Sequence, residues 1–134
     1  MTYIIAEIGI NHNGSETLAR QLIDQAKESG ADAVKFQKRT IDLVYTQEEL
    51  NKDRESPWGK TNREQKEGLE FSIDQYKGLK EYCDERGLDF IISCWDIQSV
   101  DDVDCLDVKY HKVASALATD RKFLEKLNET CKPV

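Results

Sequence analysis

The chain has 134 residues, of which 39% are hydrophobic and 34% are charged, a composition typical of a folded globular domain rather than a disordered one. Its net charge of -7 argues against a nucleic-acid partner, which would require clustered Lys and Arg. No stretch approaches the ~20 apolar residues of a membrane span, and no apolar leader opens the chain. We therefore expect a cytoplasmic protein with no membrane partner.

The first 37 residues predict a strand, a helix and a second strand. Residues 3–8 are apolar and β-branched, as in a strand buried on both faces. Ser15 then caps a helix with one apolar stripe, and Gly30 is predicted to end it. Residues 31–37 predict the next strand.

Residues 38–71 interrupt this alternation. The segment is highly charged and carries Pro and Gly turn signals around Pro57 and Gly59. It is too long for an ordinary connection, so we expect an inserted excursion with short helical pieces. Two interpretations remain open: a functional loop and a mobile surface insertion.

The rest of the chain resumes the alternation of helix and strand. The predicted elements are a helix from Ser72 to Gly87, a strand over 88–94, a short acidic helix over 99–106, a strand over 108–114, and a final helix capped by Thr119 and Asp120. Four strands alternating with helices predict an α/β fold with a parallel sheet.

Two architectures fit this pattern. A doubly wound sheet usually carries a GxGxxG loop after its first strand, and Gly9 with Gly14 does not form one. A (β/α)8 barrel needs about twice as many units as this chain provides. Both folds place their ligands at the carboxyl ends of the parallel strands, so the polar residues there are the candidates for a site.

Two lysines lie within otherwise apolar predicted strands. Burying an unpaired ammonium is costly, so Lys35 and Lys112 favour a bound anion, with hydroxyls supplied by Ser93 and Ser115. The alternative is that each lysine extends to solvent from the end of its strand. The pair together favours a phosphate or carboxylate site.

Other polar residues near the strand ends have open roles. Glu7 lies within the first strand, where it either pairs with Lys35 or binds substrate hydroxyls. His12 is a metal ligand, a base or a loop histidine, with metal binding the weakest because no second histidine is near. His111 is expected on the surface or against a helix.

The four cysteines form no CxxC pair, and without secretion a disulfide framework is not expected. Cys94 lies at a predicted strand end, where its thiol could face a ligand. We expect Cys83, Cys105 and Cys131 to be buried or half-buried thiols.

Four segments resemble the N-terminal half of the sialic acid synthases, the family that includes N-acetylneuraminate, legionaminate and pseudaminate synthases. They are AEIGINHNG at 6–14, GADAVKFQ at 30–37, SCWDIQSVD at 93–101 and HKVAS at 111–115. The resemblance covers nearly the whole chain, and the first two motifs in this order are specific.

The resemblance implies that residues 1–134 are the first four βα units of a (β/α)8 barrel. It implies an enzyme that condenses phosphoenolpyruvate with an N-acylated amino sugar and releases phosphate. Lys35, Lys112 and Ser115 would hold phosphoenolpyruvate, Gln37 and Ser93 would assist, and Glu7 would contact the sugar. A divalent metal, Mn or Mg, is expected for the complete enzyme, with ligands outside this chain, and a homo-oligomer is possible.

The chain departs from the family pattern at two sites. Leu117 stands where an acidic residue is usual, and Cys94 replaces a hydroxyl in a segment one residue shorter. These departures leave room for a related synthase with another acceptor. A third interpretation is a half-barrel that acts as an assembly or binding module, and we expect a fragment of this kind to have little activity alone.

Overall fold

The computed structural model describes residues 2–134. Its centre is a parallel sheet with helices packed against one face. The strands are β1 (Ile5–Gly9), β2 (Ala33–Lys38), β3 (Asp53–Ser56), β4 (Gly59–Thr61) and β5 (Asp89–Cys94). The helices are α1 (Glu16–Glu28), α2 (Ile41–Val44), α3 (Gln47–Leu50), α4 (Asn62–Leu69), α5 (Ile73–Glu85), α6 (Ile97–Asp104) and α7 (Arg121–Glu129), with a 3₁₀ helix at Ser115–Leu117.

The long helices begin and end at the predicted residues. Ser15 accepts a hydrogen bond from the Leu18 N–H at the start of α1, and Ser72 forms a capping box with Gln75 at the start of α5. Gly30 follows α1 in the left-handed region, with φ +81°, where a glycine avoids the strain of a side chain. Local capping chemistry therefore fixes these helix boundaries.

β2 is the central strand of a three-stranded parallel sheet in the order β1–β2–β5. Val34 and Phe36 point to one face, where they join Phe90 and Ile92 in the core against the helices. Lys35 points to the opposite face, in register with Glu7 on β1 and Ile91 on β5. The prediction of a parallel sheet is confirmed, and its alternation places Val34 and Phe36 in the core and Lys35 on the opposite face, together with the buried Ile91.

The predicted fourth strand over 108–114 is wrong as a full strand. Only His111 makes a parallel bridge, to Ile92, and its N–H donates to the carbonyl of Pro133 instead of to a sheet neighbour. A strand requires backbone hydrogen bonds to a neighbouring strand along its length, and this segment pairs with β5 only at His111. The segment nevertheless runs beside β5 in the predicted place.

The excursion over 38–71 contains the expected short helices, α2, α3 and α4, and a hairpin that was not predicted. β3 and β4 pair antiparallel through Asp53 with Thr61 and Ser56 with Gly59. Neither strand has the apolar alternation that marks a strand in a sequence, because both are largely exposed.

Two further expectations need correction. α6 begins at Ile97 rather than Ser99, because Asp96 is the residue that caps it. Cys105 and Cys131 are exposed, whereas Cys83 and Cys94 are buried. Among the described residues no helix combines the length and apolarity that crossing a membrane requires.

The excursion packs directly on the loop after β1. A Cβ atom on Gly14 would lie 2.0 Å from the carbonyl oxygen of Gly68, and one on Gly68 would lie 2.1 Å from Cγ of Trp58. The loop after β1 thus packs against α4, and α4 packs against the indole of Trp58. Neither Gly14 nor Gly68 leaves room for a side chain. The excursion is part of the packed structure.

We predict that Gly14→Ala destabilises the protein by about 3 kcal/mol or more, because it adds a steric clash to the strain of a left-handed residue. Gly30→Ala is the matched control: it has the same sign of φ but nothing lies within 4 Å of the added Cβ, so we expect a loss of about 1 kcal/mol. Urea unfolding measures both. Equal losses of unfolding free energy in the two variants would show that close packing of residue 14 on Gly68 does not affect stability.

Candidate active site

An ion pair between β1 and β2 defines the polar face of the sheet. Lys35 is only 6% exposed, and its Nζ lies 2.7 Å from Oε2 of Glu7. The Glu7 side chain is 58% exposed, so the pair is open to solvent on the carboxylate side. The structure thus supports pairing of Glu7 with Lys35, and it leaves the outer carboxylate oxygen accessible to a ligand.

The other predicted site residues differ in what they already bind. The Oγ of Ser93 is buried and donates to the carbonyl of Lys112 at 3.0 Å, which ties the last segment to β5. Lys112 and Ser115 are exposed, and within residues 2–134 neither side chain makes a hydrogen bond or ion pair. Gln37 is half-buried and lies in register with Ser93. The expectation of a lysine within a buried strand is therefore wrong for Lys112, which extends to solvent, although both Lys112 and Ser115 keep their donors free.

A second buried ion pair, which the sequence did not reveal, fixes the carboxyl end of β2. Arg39 is 6% exposed, and its Nε donates to Oε1 of Glu70 at 2.7 Å while its backbone N–H donates to Oε2 at 3.1 Å. Arg39 also donates to the hydroxyl of Tyr45 at 2.8 Å. The pair joins the two ends of the excursion, and no local pattern marks partners 31 residues apart.

His12 is fully buried beneath the excursion. Its ring stacks on Phe71 with centroids 4.1 Å apart, and its Nδ1 accepts a hydrogen bond from the Gly14 N–H at 3.1 Å. Burial, together with a smaller effect of the nearby positive charge of Arg39, lowers the pKa of His12 to about 4. Of the three roles left open, the loop histidine that packs the structure together is the one the contacts support.

Asp96 joins the carboxyl ends of β2 and β5. Its carboxylate accepts hydrogen bonds from the backbone N–H of Thr40 at 2.7 Å and from the backbone N–H and hydroxyl of Ser99, each at 2.7 Å. The acid is thus both the N-cap of α6 and a bridge to the start of α2. The loops that follow these two strands are held in one arrangement.

Two other candidates prove to be packing residues. Cys94 is buried and donates to the carbonyl of Ser99, and burial raises the pKa of its thiol to about 12, so it does not face a ligand. His111 is buried, and its Nε2 lies 2.9 Å from the hydroxyl of Thr130 after α7. The expectation that His111 packs against a helix is confirmed.

The described residues contain no group of three or more His, Cys, Asp or Glu side chains placed to hold a metal ion. His12 belongs to no such group, and its ring is packed between the aromatic side chains of Phe36 and Phe71. Residues 2–134 therefore do not fit a complete divalent-metal site.

These features define a class of protein: an α/β protein whose parallel strands carry a lysine–carboxylate pair on one face, with further free polar groups on the segment beside β5. Known structures agree on the fold. The N-acetylneuraminic acid synthetase of Leptospira borgpetersenii superposes with a TM-score of 0.80 over 96% of this chain and 41% of its own, at 24% identity.

The sequence profile of the NeuB family matches residues 22–134, so the chain belongs to the NeuB family. It is 40% identical to the N-acetylneuraminate-9-phosphate synthase of Homo sapiens, over 98% of this chain and 37% of the relative. It is 38% identical to the N,N'-diacetyllegionaminic acid synthase of Legionella pneumophila, over 92% of this chain and 35% of the relative. The chain thus spans well under half the length of these relatives.

The burial of His12 generates a prediction about pH. Its pKa in the folded protein lies below the ordinary value of 6.5, so the unfolded chain binds the proton more tightly and stability falls as the pH drops from about 6.5 towards 4. Between pH 7 and pH 4.5 we expect His12 to account for a loss of about 2 kcal/mol.

His12→Asn removes the titrating group and keeps an acceptor for the Gly14 N–H. Urea unfolding of both proteins at the two pH values isolates the contribution of His12, since every other titrating group, His111 included, is common to them. An equal loss in the variant and the parent protein would show that His12 is protonated in the folded state.

Proposed function

We propose that this chain contributes the phosphoenolpyruvate-binding part of a synthase that condenses phosphoenolpyruvate with an N-acylated amino sugar to give a nonulosonic acid. The observation that carries the proposal is the Glu7–Lys35 pair: a lysine is held almost fully buried on the polar face of the sheet with its carboxylate partner open to solvent. The relatives are synthases named for such products, which supports the same class of reaction here.

Lys35, Lys112 and Ser115 suit the phosphate and carboxylate of phosphoenolpyruvate. An ammonium has three N–H donors, so Lys35 can retain Glu7 and still donate to an anion. Lys112 and Ser115 have no side-chain partner among residues 2–134 and add one cation and one hydroxyl. Gln37 assists beside Lys35, and the Ser93 hydroxyl supports the site by holding the backbone of Lys112.

Glu7 suits the second substrate. Its exposed carboxylate oxygens accept hydrogen bonds from sugar hydroxyls, and its bond to Lys35 fixes their position relative to the bound anion. Holding the two substrates against adjacent strands brings the reacting carbons together and supplies much of the catalytic advantage of such a site.

The proposed reaction balances as follows. A bond forms between C3 of phosphoenolpyruvate and the aldehyde carbon of the sugar, and the aldehyde oxygen takes up a proton to become a hydroxyl. Water adds to C2 of phosphoenolpyruvate, the bond from C2 to the phosphate oxygen breaks, and inorganic phosphate leaves. C2 becomes the keto carbon of the product.

The divalent metal that the family resemblance implies, Mn or Mg, would polarise the sugar aldehyde. Since the described residues do not fit a complete metal site, the roles assigned to Lys35, Lys112, Ser115 and Glu7 are limited to binding and orienting the two substrates.

The proposal predicts that Lys35→Met weakens phosphoenolpyruvate binding by roughly 10- to 100-fold, because a charge-assisted hydrogen bond to the anion is lost. Glu7→Gln should leave that affinity within about threefold of the parent value, since the amide oxygen still accepts a hydrogen bond from Lys35 and Glu7 is assigned to the sugar. Isothermal titration with phosphoenolpyruvate measures both.

Lys122→Met is the control for loss of a lysine charge. Lys122 is exposed on α7 and is not one of the residues proposed to bind phosphoenolpyruvate. It should bind phosphoenolpyruvate like the parent protein. Phosphoenolpyruvate binding that survives Lys35→Met unchanged, or that is absent from the parent protein, would overturn the proposed function.

A second candidate function is an assembly module. β1 pairs only with β2, so its other edge is open within residues 2–134. Tyr3, Ile4 and Ile5 beside this edge are 45%, 52% and 46% exposed, more apolar surface than an edge strand usually leaves uncovered. A second copy of the chain that pairs with this edge would cover it.

Sedimentation equilibrium tests this candidate. Assembly through β1 predicts twice the 15.4 kDa mass of one chain, and Ile4→Lys should restore the single-chain mass because a charge cannot enter an apolar interface. Leu43→Lys is the control. Leu43 is 64% exposed on α2 and lies outside the β1 edge, so this variant should keep the doubled mass. A parent protein that sediments as a single chain at high concentration rules the assembly out.

A further inference from the structure

The first strand is irregular at its carboxyl end, directly beside the Glu7–Lys35 pair. Glu7 lies opposite Lys35 of β2 in regular parallel register. The next paired residue of β1 is Gly9, which lies opposite Phe36, so Ile8 is an extra residue in β1. An extra residue on one of two paired strands is a β-bulge, which redirects the side chains next to it. The polar side chain next to this bulge is that of Glu7.

Gly9 is buried and has a left-handed backbone, with φ +54°, a conformation that strains any residue with a side chain. Gly87, after α5, has nearly the same backbone, with φ +64°. The two glycines differ in what lies next to them. A Cβ atom on Gly9 would lie 3.2 Å from Oε1 of Glu7, which is closer than ordinary van der Waals contact. A Cβ atom on Gly87 would meet only Nζ of Lys27, at 3.8 Å.

The two oxygens of the Glu7 carboxylate therefore lie against different groups. Oε2 lies 2.7 Å from Nζ of Lys35, and Oε1 lies over Gly9 beside the space that a side chain there would fill. An exposed carboxylate ordinarily samples several rotamers, and the Glu7 side chain is 58% exposed. Here the buried ammonium holds one oxygen while the other lies close to the main chain. The orientation of the carboxylate thus depends on the absence of a side chain at position 9.

A methyl group at position 9 would compete with the carboxylate for this space. The backbone around Gly9 is held in place, because Ile8 is buried in the core and its carbonyl accepts a hydrogen bond from the Asn11 N–H at 2.9 Å. The Glu7 side chain is exposed and free to rotate, so it is the group that would move. Movement of Oε1 away from position 9 turns the carboxylate and disturbs the bond from Oε2 to Lys35.

We propose that Gly9 is a positioning residue for Glu7, because the bulge and the missing side chain hold the carboxylate where it binds Lys35 and faces the amino-sugar acceptor. This inference rests on the proposed function, in which Glu7 binds sugar hydroxyls, and it adds the residue that orients Glu7 before the sugar arrives. A carboxylate that is already oriented loses little side-chain freedom on binding, so less of the binding free energy is spent on ordering it.

A double-mutant cycle tests the contact between positions 7 and 9. Gly9→Ala, Glu7→Ala and the double variant are unfolded in urea beside the parent protein. We expect Gly9→Ala to lower the folding equilibrium constant about fivefold more in the parent protein than in the Glu7→Ala protein, where no carboxylate meets the methyl group. A purely structural role of Gly9 predicts the same factor in both backgrounds, because the backbone strain is common to them.

Gly87→Ala is the matched control, since it introduces the same left-handed strain with no carboxylate nearby. Its effect on folding should be the same with and without the Glu7 side chain. Glu7→Asp serves in the cycle if Glu7→Ala fails to fold, because its carboxylate is one methylene shorter and withdraws from position 9. A factor for Gly9→Ala that does not depend on the residue at position 7 would overturn the inference.

Ligand binding shows whether the orientation of Glu7 matters to the site. Phosphoenolpyruvate and then N-acetylmannosamine, an N-acylated amino sugar, are titrated into the parent, Gly9→Ala and Gly87→Ala proteins. We expect Gly9→Ala to weaken sugar binding about fivefold, the size of one hydrogen bond to a charged group, and to leave phosphoenolpyruvate affinity within about threefold. Gly87→Ala should leave both affinities unchanged. Equal losses for the two ligands in Gly9→Ala, or an unchanged sugar affinity, would contradict a positioning role.

The two measurements separate this inference from the function on which it rests. A parent protein that fails to bind either ligand overturns the proposed function, while the double-mutant cycle still decides whether Gly9 positions Glu7. A parent protein that binds both ligands but shows no coupling between positions 7 and 9 overturns the positioning role alone.

Discussion

The burial of a charged side chain on the central strand is the constraint on which the rest of the structure depends. β2 is hydrogen-bonded on both sides, and its Val34 and Phe36 occupy the core. Lys35 must then emerge on the other face, where an ammonium is stable only with a partner. Parallel pairing in register places Glu7 beside it. The same hydrogen-bond ladder therefore builds the core and sets the geometry of the polar face.

The excursion after β2 is held by a second buried charge at the end of that strand. Arg39 pairs with Glu70, so the two ends of the excursion over 38–71 are joined across a short distance. Closing a loop of this length costs conformational entropy, and the ion pair, the His12–Phe71 stack and the Gly14–Gly68 contact offset that cost together. The loop after β1 and the end of β2 are consequently fixed relative to each other, next to the candidate site.

Sequence reasoning succeeded where a feature is local. Serine caps, left-handed glycines and apolar periodicity predicted α1, α5, β1, β2 and β5, because each depends on residues within a few positions. It failed where a feature depends on distant partners. The β3–β4 hairpin has no apolar alternation in its sequence, and the segment around His111 has such alternation but pairs with β5 at one residue only. In the site, a lysine in an apolar strand revealed the Glu7–Lys35 pair, whereas Arg39 and Glu70 carry no such signal.

The distribution of charge at the carboxyl ends of the strands decides where an anion can bind. Lys35 and Lys112 are cations on the central strand and on the segment beside β5, while the groove lined by Trp95, Leu117 and Phe123 has Asp96 and Asp120 as its charged residues. An anion that reached this end of the protein would be drawn to the lysines and repelled by the carboxylates, whereas a neutral molecule would be steered to neither. Charge alone therefore confines an anion to the lysine side, and contacts other than charge must position a neutral molecule.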